Sequence, residues 1–197
     1  MYIANYHLHG ELVGESLPSF LSDAIGLYGN TNEATSIVIH INSPGGDLVT
    51  AIQAYNLIKA SPIPVTTLVN GSAESAALII LMAGHRRAAM KNSFGMAHHL
   101  STGIEGNFHT IKDSVKHLDI LHKTIKDMWL ADTKVKPSEV EELMLGRGDT
   151  YLPAADMRKK GIVDEILDPS GLIQYIYGFR KDGKPQKKKS TKAKKHL

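Results

Sequence analysis

The first half of the chain alternates between short strand-like runs and helical periodicities, and this alternation limits the fold more than any other feature. Residues 6–13, 36–41 and 65–69 carry the apolar and β-branched pattern of strands. Apolar residues recur at helical spacing in the intervening segments, 17–28 and 49–58. Strands alternating with helices predict parallel βαβ units, whose turns collect at the carboxyl ends of the strands. The sequence therefore predicts an α/β fold with its chemistry at those ends.

The second half contains one unusually long helical pattern. Apolar residues recur at helical spacing from Phe108 to Trp129, which is roughly six turns. A helix of this length either projects toward a partner subunit or packs into the core, and the pattern leaves both open. Extended pieces are predicted at 96–99, 149–152 and 162–166, with a helix on each side of the second.

Length and composition restrict the class of protein. A chain of 197 residues suits one domain with a sizeable core. The absence of cysteine excludes disulfides, thiolate metal ligands and a cysteine nucleophile, and fits a reducing compartment. The amino terminus lacks the pattern of a signal peptide, and the longest apolar run, Ala76–Ala83, is too short to cross a bilayer. We therefore expect a cytoplasmic protein without a membrane partner.

Positive charge is concentrated at the carboxyl end. Residues 178–197 hold nine of the 23 Lys and Arg but one of the 20 Asp and Glu, which leaves 14 basic and 19 acidic residues in 1–177. The segment is rich in Gly, Pro, Ser and Lys and has no apolar periodicity, so we expect a folded domain over 1–177 and a disordered basic tail over 178–197. Binding of nucleic acid or an acidic partner is the alternative. No aromatic residue interleaves with the lysines, so base stacking is not indicated.

Ser75 stands between a strand with small residues and an apolar helix. Acyl transfer by serine needs an exposed hydroxyl and backbone N–H groups directed at the developing oxyanion. A helix amino terminus offers such unpaired N–H groups, together with a favourable dipole. By itself the pattern also fits an ordinary helix N-cap, a role that Ser72 could equally fill.

Two further segments bear on chemistry without deciding it. Gly45 and Gly46 follow a strand directly, where paired glycines permit a tight turn and close approach of a substrate backbone. An ordinary Pro-Gly turn is the alternative. His98 is one of ten histidines, and its neighbour His99 points to the opposite face of an extended segment, so the two cannot readily share a metal ion. We expect neither a metal nor a cofactor.

Taken in order, four segments resemble the Clp protease proteolytic subunit family, ClpP. The segments are Ile-Asn-Ser-Pro-Gly-Gly at 41–46, Gly-Ser-Ala-Glu-Ser-Ala-Ala at 71–77, Asn-Ser-Phe-Gly-Met-Ala-His at 92–98, and Asp149 with Gly-Ile-Val-Asp at 161–164. The similarity runs from about residue 6 to 167. It implies a ClpP/crotonase-like fold with a projecting long helix, and a serine endopeptidase with Ser75 as nucleophile, His98 as base and Asp149 orienting the histidine.

The resemblance also assigns the remaining site residues. The amides of Gly46 and Ala76 fall at the oxyanion hole, and Gly45, Gly46 and Leu100 fall where substrate binds. Peptides or unfolded proteins are the implied substrates. A homo-oligomer of two heptameric rings is implied as well, with the 107–130 helix between the rings.

Several positions depart from the family pattern. Glu74 replaces a small residue before the nucleophile, His99–Leu100 replaces Gln-Pro after the histidine, and Ala76 stands where methionine is common. The chain begins a few residues before its first strand, without most of the segment that contacts an ATP-driven AAA+ unfoldase in the family. This argues against an unfoldase partner and favours a stand-alone or phage-type relative, for example in capsid maturation. The alternatives are a catalytically silent ClpP-like scaffold subunit and a crotonase-like acyl-CoA enzyme.

Overall fold

The computed structural model describes residues 2–14, 16–31, 34–145 and 148–172, which form seven strands and six helices. The strands are β1 (Tyr2–His9), β2 (Ala34–Ser43), β3 (Val65–Glu74), β4 (Arg86–Met90), β5 (Phe94–Ala97), β6 (Thr150–Pro153) and β7 (Glu165–Leu167). The helices are α1 (Ser16–Thr31), α2 (Leu48–Ala60), α3 (Ala76–Ala83), α4 (Phe108–Asp132), α5 (Pro137–Leu145) and α6 (Ala154–Lys159). The predicted tail, 178–197, and the predicted domain boundary at 177 lie outside the described residues.

Five parallel strands form the main sheet, in the order β1-β2-β3-β4-β7. β3 is long enough to pair with β4 through its first half and with β5 through its carboxyl half, where Ser72 lies opposite Phe94. β5 then pairs antiparallel with β6, with Gly95 opposite Leu152. The predicted α/β fold of βαβ units is confirmed, and the antiparallel pair is an addition that the alternation pattern does not predict.

Helix α3 lies inside the core, in contact with α2 and β3. Every residue from Ala76 to Ala83 is at most 4% exposed. A helix that is apolar on all sides is stable where other elements surround it completely. Because Ser75 directly precedes this helix, the core determines where Ser75 lies.

The clearest differences from the sequence predictions concern β1, β3 and β4, and β7 covers Glu165–Leu167 rather than 162–166. β1 covers Tyr2–His9 rather than 6–13, because Gly10 has a φ of 77° and turns the chain out of the strand. β3 continues beyond the predicted end at residue 69 as far as Glu74, because β5 offers it a second partner there. The sequence pattern does not predict β4, since a run of two arginines and two alanines lacks the residues that favour strands.

Helix α4 both projects and packs. Its first part is exposed, with Phe108 72% and Ile120 63% accessible, whereas Ile125, Met128 and Trp129 near its carboxyl end are buried. The predicted projecting helix is therefore confirmed, and core packing accounts for its last two turns. No helix in the described part of the chain is long and apolar enough to span a membrane.

Candidate active site

Ser75 occupies a strained turn between β3 and α3. Its backbone has φ 53° and ψ −122°, a conformation that costs a non-glycine residue about 1–3 kcal/mol and is concentrated at functional sites. Its N–H donates to the carbonyl oxygen of Met96 at 2.8 Å. The turn is thus braced by β5, the strand that leads into His98.

The Ser75 side chain contacts His98 instead of capping the helix. Ser75 Oγ lies 2.7 Å from His98 Nε2, and the side chain makes no capping hydrogen bond to α3. The N-cap alternative is therefore wrong for this hydroxyl. A serine hydroxyl that shares a hydrogen bond with an imidazole is the arrangement of an activated nucleophile and its base.

Asp149 lies beside the other nitrogen of the same imidazole. Its Oδ1 is 3.8 Å from His98 Nδ1, and its side chain is 49% exposed. This separation permits charge attraction but exceeds a hydrogen bond. The three predicted triad residues come together, with a short contact on one side of His98 and a long contact on the other.

The glycine loop, Pro44–Gly46, packs against the Ser75 turn. Gly45 has φ 93°, and a Cβ built on it would lie 2.8 Å from Ser75 Cβ and 2.9 Å from the backbone nitrogen of Ala76. Contacts this short leave no room for a side chain. Glycine at position 45 therefore keeps the Ala76 amide accessible from the loop side.

Leu12 forms backbone hydrogen bonds to the residues on either side of Gly46, the next residue of the glycine loop. The Leu12 N–H donates to the Gly45 carbonyl at 2.6 Å, and the Asp47 N–H donates to the Leu12 carbonyl at 2.8 Å. In a parallel bridge of this kind the amide of the central residue, here Gly46, points away from the pairing partner. Within the described residues the N–H groups of Gly46 and Ala76 have no hydrogen-bond partner, so both remain free to donate to an oxyanion.

Comparison with known proteins identifies the family of this chain. Residues 21–170 match the profile of the Clp protease family. The chain belongs to the Clp protease family. It is also similar to the ATP-dependent Clp protease proteolytic subunit of Deinococcus radiodurans, at 28% identity over 144 residues, which cover 72% of this chain and 70% of that protein.

In this Clp-family chain the Ser75 hydroxyl faces a cleft of about 590 Å³. The cleft is bounded by the glycine loop on one side and by the segment after β5 on the other, and Gly45, Gly46, Ala76 and Leu100 are among its lining residues. Their roles in the oxyanion hole and in substrate binding stay predictions. Asp149 and Glu74 are not among the residues that line it. Asp149 contacts His98 through Nδ1, the ring nitrogen that does not face Ser75.

The sequence reasoning missed two parts of this site. Leu12 is one, because nothing in its surroundings predicts a bridge to the glycine loop. The other is the cleft wall from α4, which comprises His117, Leu118, Leu121, Ile125 and Trp129. The signal for that wall was present in the apolar stripe of α4, whose carboxyl half turns toward the cleft.

Proposed function

We propose that this Clp-family peptidase is a serine endopeptidase whose triad is Ser75, His98 and Asp149. The observation that carries the proposal is the 2.7 Å contact between Ser75 Oγ and His98 Nε2, made by a serine whose strained backbone is otherwise unexplained. The two unpaired amides beside the hydroxyl, those of Gly46 and Ala76, supply what a tetrahedral intermediate needs.

The proposed mechanism gives each of these groups a role. His98 Nε2 accepts the Ser75 proton while Oγ attacks the peptide carbonyl carbon, and the Gly46 and Ala76 amides donate to the oxyanion. His98 then protonates the leaving amine, and water, deprotonated by His98, hydrolyses the acyl-enzyme ester. The Asp149 carboxylate favours the tautomer with hydrogen on Nδ1 and stabilises the imidazolium. No step consumes a nucleotide, so short peptides should be cleaved without ATP.

The surroundings of the triad support a proposal for the substrate and the assembly. We propose that an extended peptide lies between the glycine loop and Leu100, with side chains on the apolar α4 wall. We also propose a homo-oligomer of two heptameric rings. The two rings would contact each other through the exposed apolar residues of α4. Phe108, Ile111, Val115 and Ile120 are each at least 44% exposed, as unpartnered interface residues would be in an isolated chain.

A fluorophosphonate probe tests the nucleophile. The wild type should be labelled, Ser75→Ala should not, and Ser72→Ala, a matched change three residues away, should be labelled like the wild type. Native mass spectrometry of the same samples reports the subunit number. Labelling that persists in Ser75→Ala would refute the nucleophile assignment, and an assembled but unlabelled wild type would favour the silent scaffold. An unlabelled protein that turns over acyl-CoA thioesters would indicate the crotonase-like alternative.

A further inference from the structure

Three histidines form a cluster on the outer face of β1 and β2, away from the cleft. His7 lies opposite His40 in the parallel register, and their rings stack with centroids 4.5 Å apart at an angle of 9°. His9, two residues further along the same strand face, contacts the His7 ring edge-on at 5.7 Å. We call His7, His9 and His40 the histidine cluster. The mechanism proposed above makes no use of it.

His40 is the buried member. It is 7% exposed, and its Nε2 lies 3.1 Å from Asn5 Oδ1. Because an amide oxygen can only accept, Nε2 carries the hydrogen, and the neutral ring is satisfied by this contact. The amide of Asn5 is itself oriented by a bond from its Nδ2 to the Ile3 carbonyl.

Among the described residues, no carboxylate counts among the groups that shift the pKa of His40. On the β3 side His40 faces Leu68, flanked by Thr66 and Asn70, none of which is ionisable. The nearest charged residue on this face of the described sheet is Arg86 of β4, two strands away, which pairs with Glu165. A cation at His40 would therefore meet the imidazoles of His7 and His9 without a carboxylate.

Burial lowers the pKa of His40 below its ordinary value of 6.5, and charge on His7 and on His9 lowers that pKa further. A depressed histidine pKa means that the folded state favours the neutral ring. The neutral His40 ring therefore leaves the free energy of unfolding at its full value above about pH 6.5. Below that pH the unfolded state binds the proton more readily, and stability is lost. Acid thus weakens the β1–β2 pairing at the cluster.

The same pairing leads directly into the glycine loop. One residue after His9, the Gly10 N–H donates to the Asn42 carbonyl at 3.1 Å. Two residues later come the Leu12 bonds to Gly45 and Asp47 that orient the Gly46 amide. The strand ends that the cluster holds together are therefore the strand ends that place one oxyanion donor.

We propose that His7, His9 and His40 are positioning residues for the glycine loop, and that protonation of the cluster separates β1 from β2 and displaces the Gly46 amide. The catalytic consequence rests on the function proposed above. Within the described residues no three histidine or acidic side chains are arranged to hold a metal ion, which favours a charge-sensitive contact here over a metal site.

The dependence of kcat on pH tests the proposal, because a purely structural role would not change its slope. If a single protonation governs the acid side of the pH profile, kcat falls by at most about tenfold per pH unit. We expect the acid limb of the wild type to fall more steeply than this, and the limb of the exposed-site variant His7→Gln/His9→Gln, which keeps His40 but lacks the other two protonation sites, to be shallower than that of the wild type. His109→Gln, an exposed change on α4, should retain the steep limb. Equal slopes in the wild type and the double variant would overturn the proposal.

Hydrogen exchange separates this proposal from the proposed function. In full-length Ser75→Ala, protection of the Gly10, Leu12 and Asp47 amides, corrected for intrinsic exchange, should be about tenfold lower near pH 5.5 than near pH 7.5. Adding His7→Gln/His9→Gln should make that difference smaller, since only His40 then remains to be protonated. Protection that does not change with pH in Ser75→Ala overturns the positioning role even if peptides are cleaved. A wild type that cleaves no peptide refutes the proposed function, while the exchange result still decides the positioning role.

Discussion

The two contacts of His98 differ in length and in what supports them. On the side of the proposed nucleophile, here called the nucleophile side, 2.7 Å separates Nε2 from Ser75, which sits between β3 and the fully buried α3. On the acid side, 3.8 Å separates Nδ1 from Asp149, whose side chain is 49% exposed. Core packing therefore determines the nucleophile geometry, whereas a surface segment determines the position of the acid.

The elements around Asp149 explain the difference. Asp149 directly precedes β6, a strand of four residues that pairs with the short β5. The preceding helix, α5, packs two buried apolar side chains into the core, and ion pairs at the surface join its other side to its neighbours, between Glu141 and Lys126 and between Glu139 and Lys160. Exposed ion pairs stabilise weakly. The acid side can thus shift more easily than the nucleophile side.

Gly45→Ala should cause the largest loss among the changes that test this comparison. The new methyl group would lie 2.9 Å from the Ala76 nitrogen and 2.6 Å from the Glu74 carbonyl oxygen, so it would obstruct an amide of the oxyanion hole and strain the turn. Loss of one oxyanion donor lowers kcat by about 10²–10³, and we expect that range with a fluorogenic peptide. Gly103→Ala is the control, since no atom lies within 4 Å of its added Cβ. A Gly45→Ala kcat equal to that of the control would contradict a rigid nucleophile side.

Asp149→Asn should have a smaller effect. Where a triad aspartate is buried and hydrogen-bonded, its replacement by asparagine costs about 10⁴ in kcat. The longer and half-exposed contact here predicts a loss of about 10–10². Asp113→Asn, which removes an exposed partner of Lys116, should leave kcat unchanged. A loss near that of a buried triad would mean that the contact shortens in the assembled enzyme, and it would remove the contrast between the two sides.

The same contrast separates the features of the site that could be predicted from the sequence from those that could not. Ser75, His98 and the glycine pair were predictable only from the four motifs taken in order, through their resemblance to the Clp family, because each motif alone also fits an ordinary structural role. The backbone strain at Ser75 and the bridge from Leu12 to Gly46 were not, because they arise from contacts between segments distant in sequence. The 3.8 Å separation at Asp149 could not be predicted either, since a motif specifies which residues meet but not how closely.

Asp164→Asn should have the smallest effect on activity, because it acts far from both contacts of His98. Burial raises the pKa of the Asp164 carboxyl, but hydrogen bonds from Arg87 and its charge outweigh this, so the pKa lies below 3.8. A carboxyl whose pKa is lower in the folded state than in the unfolded state adds to the free energy of unfolding above the unfolded-state pKa. This contribution is lost as the pH falls through the pKa of the folded state.

Because the carboxylate is 43% exposed, we expect Asp164→Asn to lower the free energy of unfolding by roughly 1 kcal/mol at neutral pH. The difference from the wild type should shrink below about pH 3.8. Urea unfolding at both pH values measures it, with Glu165→Gln, whose contact with Arg86 is 3.8 Å long, as the weaker control. A stability loss that persists in acid would show that Asp164 acts through packing instead of charge. An unchanged kcat at neutral pH would show that the two contacts of His98 do not depend on the ion pair between Asp164 and Arg87. Their difference would then arise within the site.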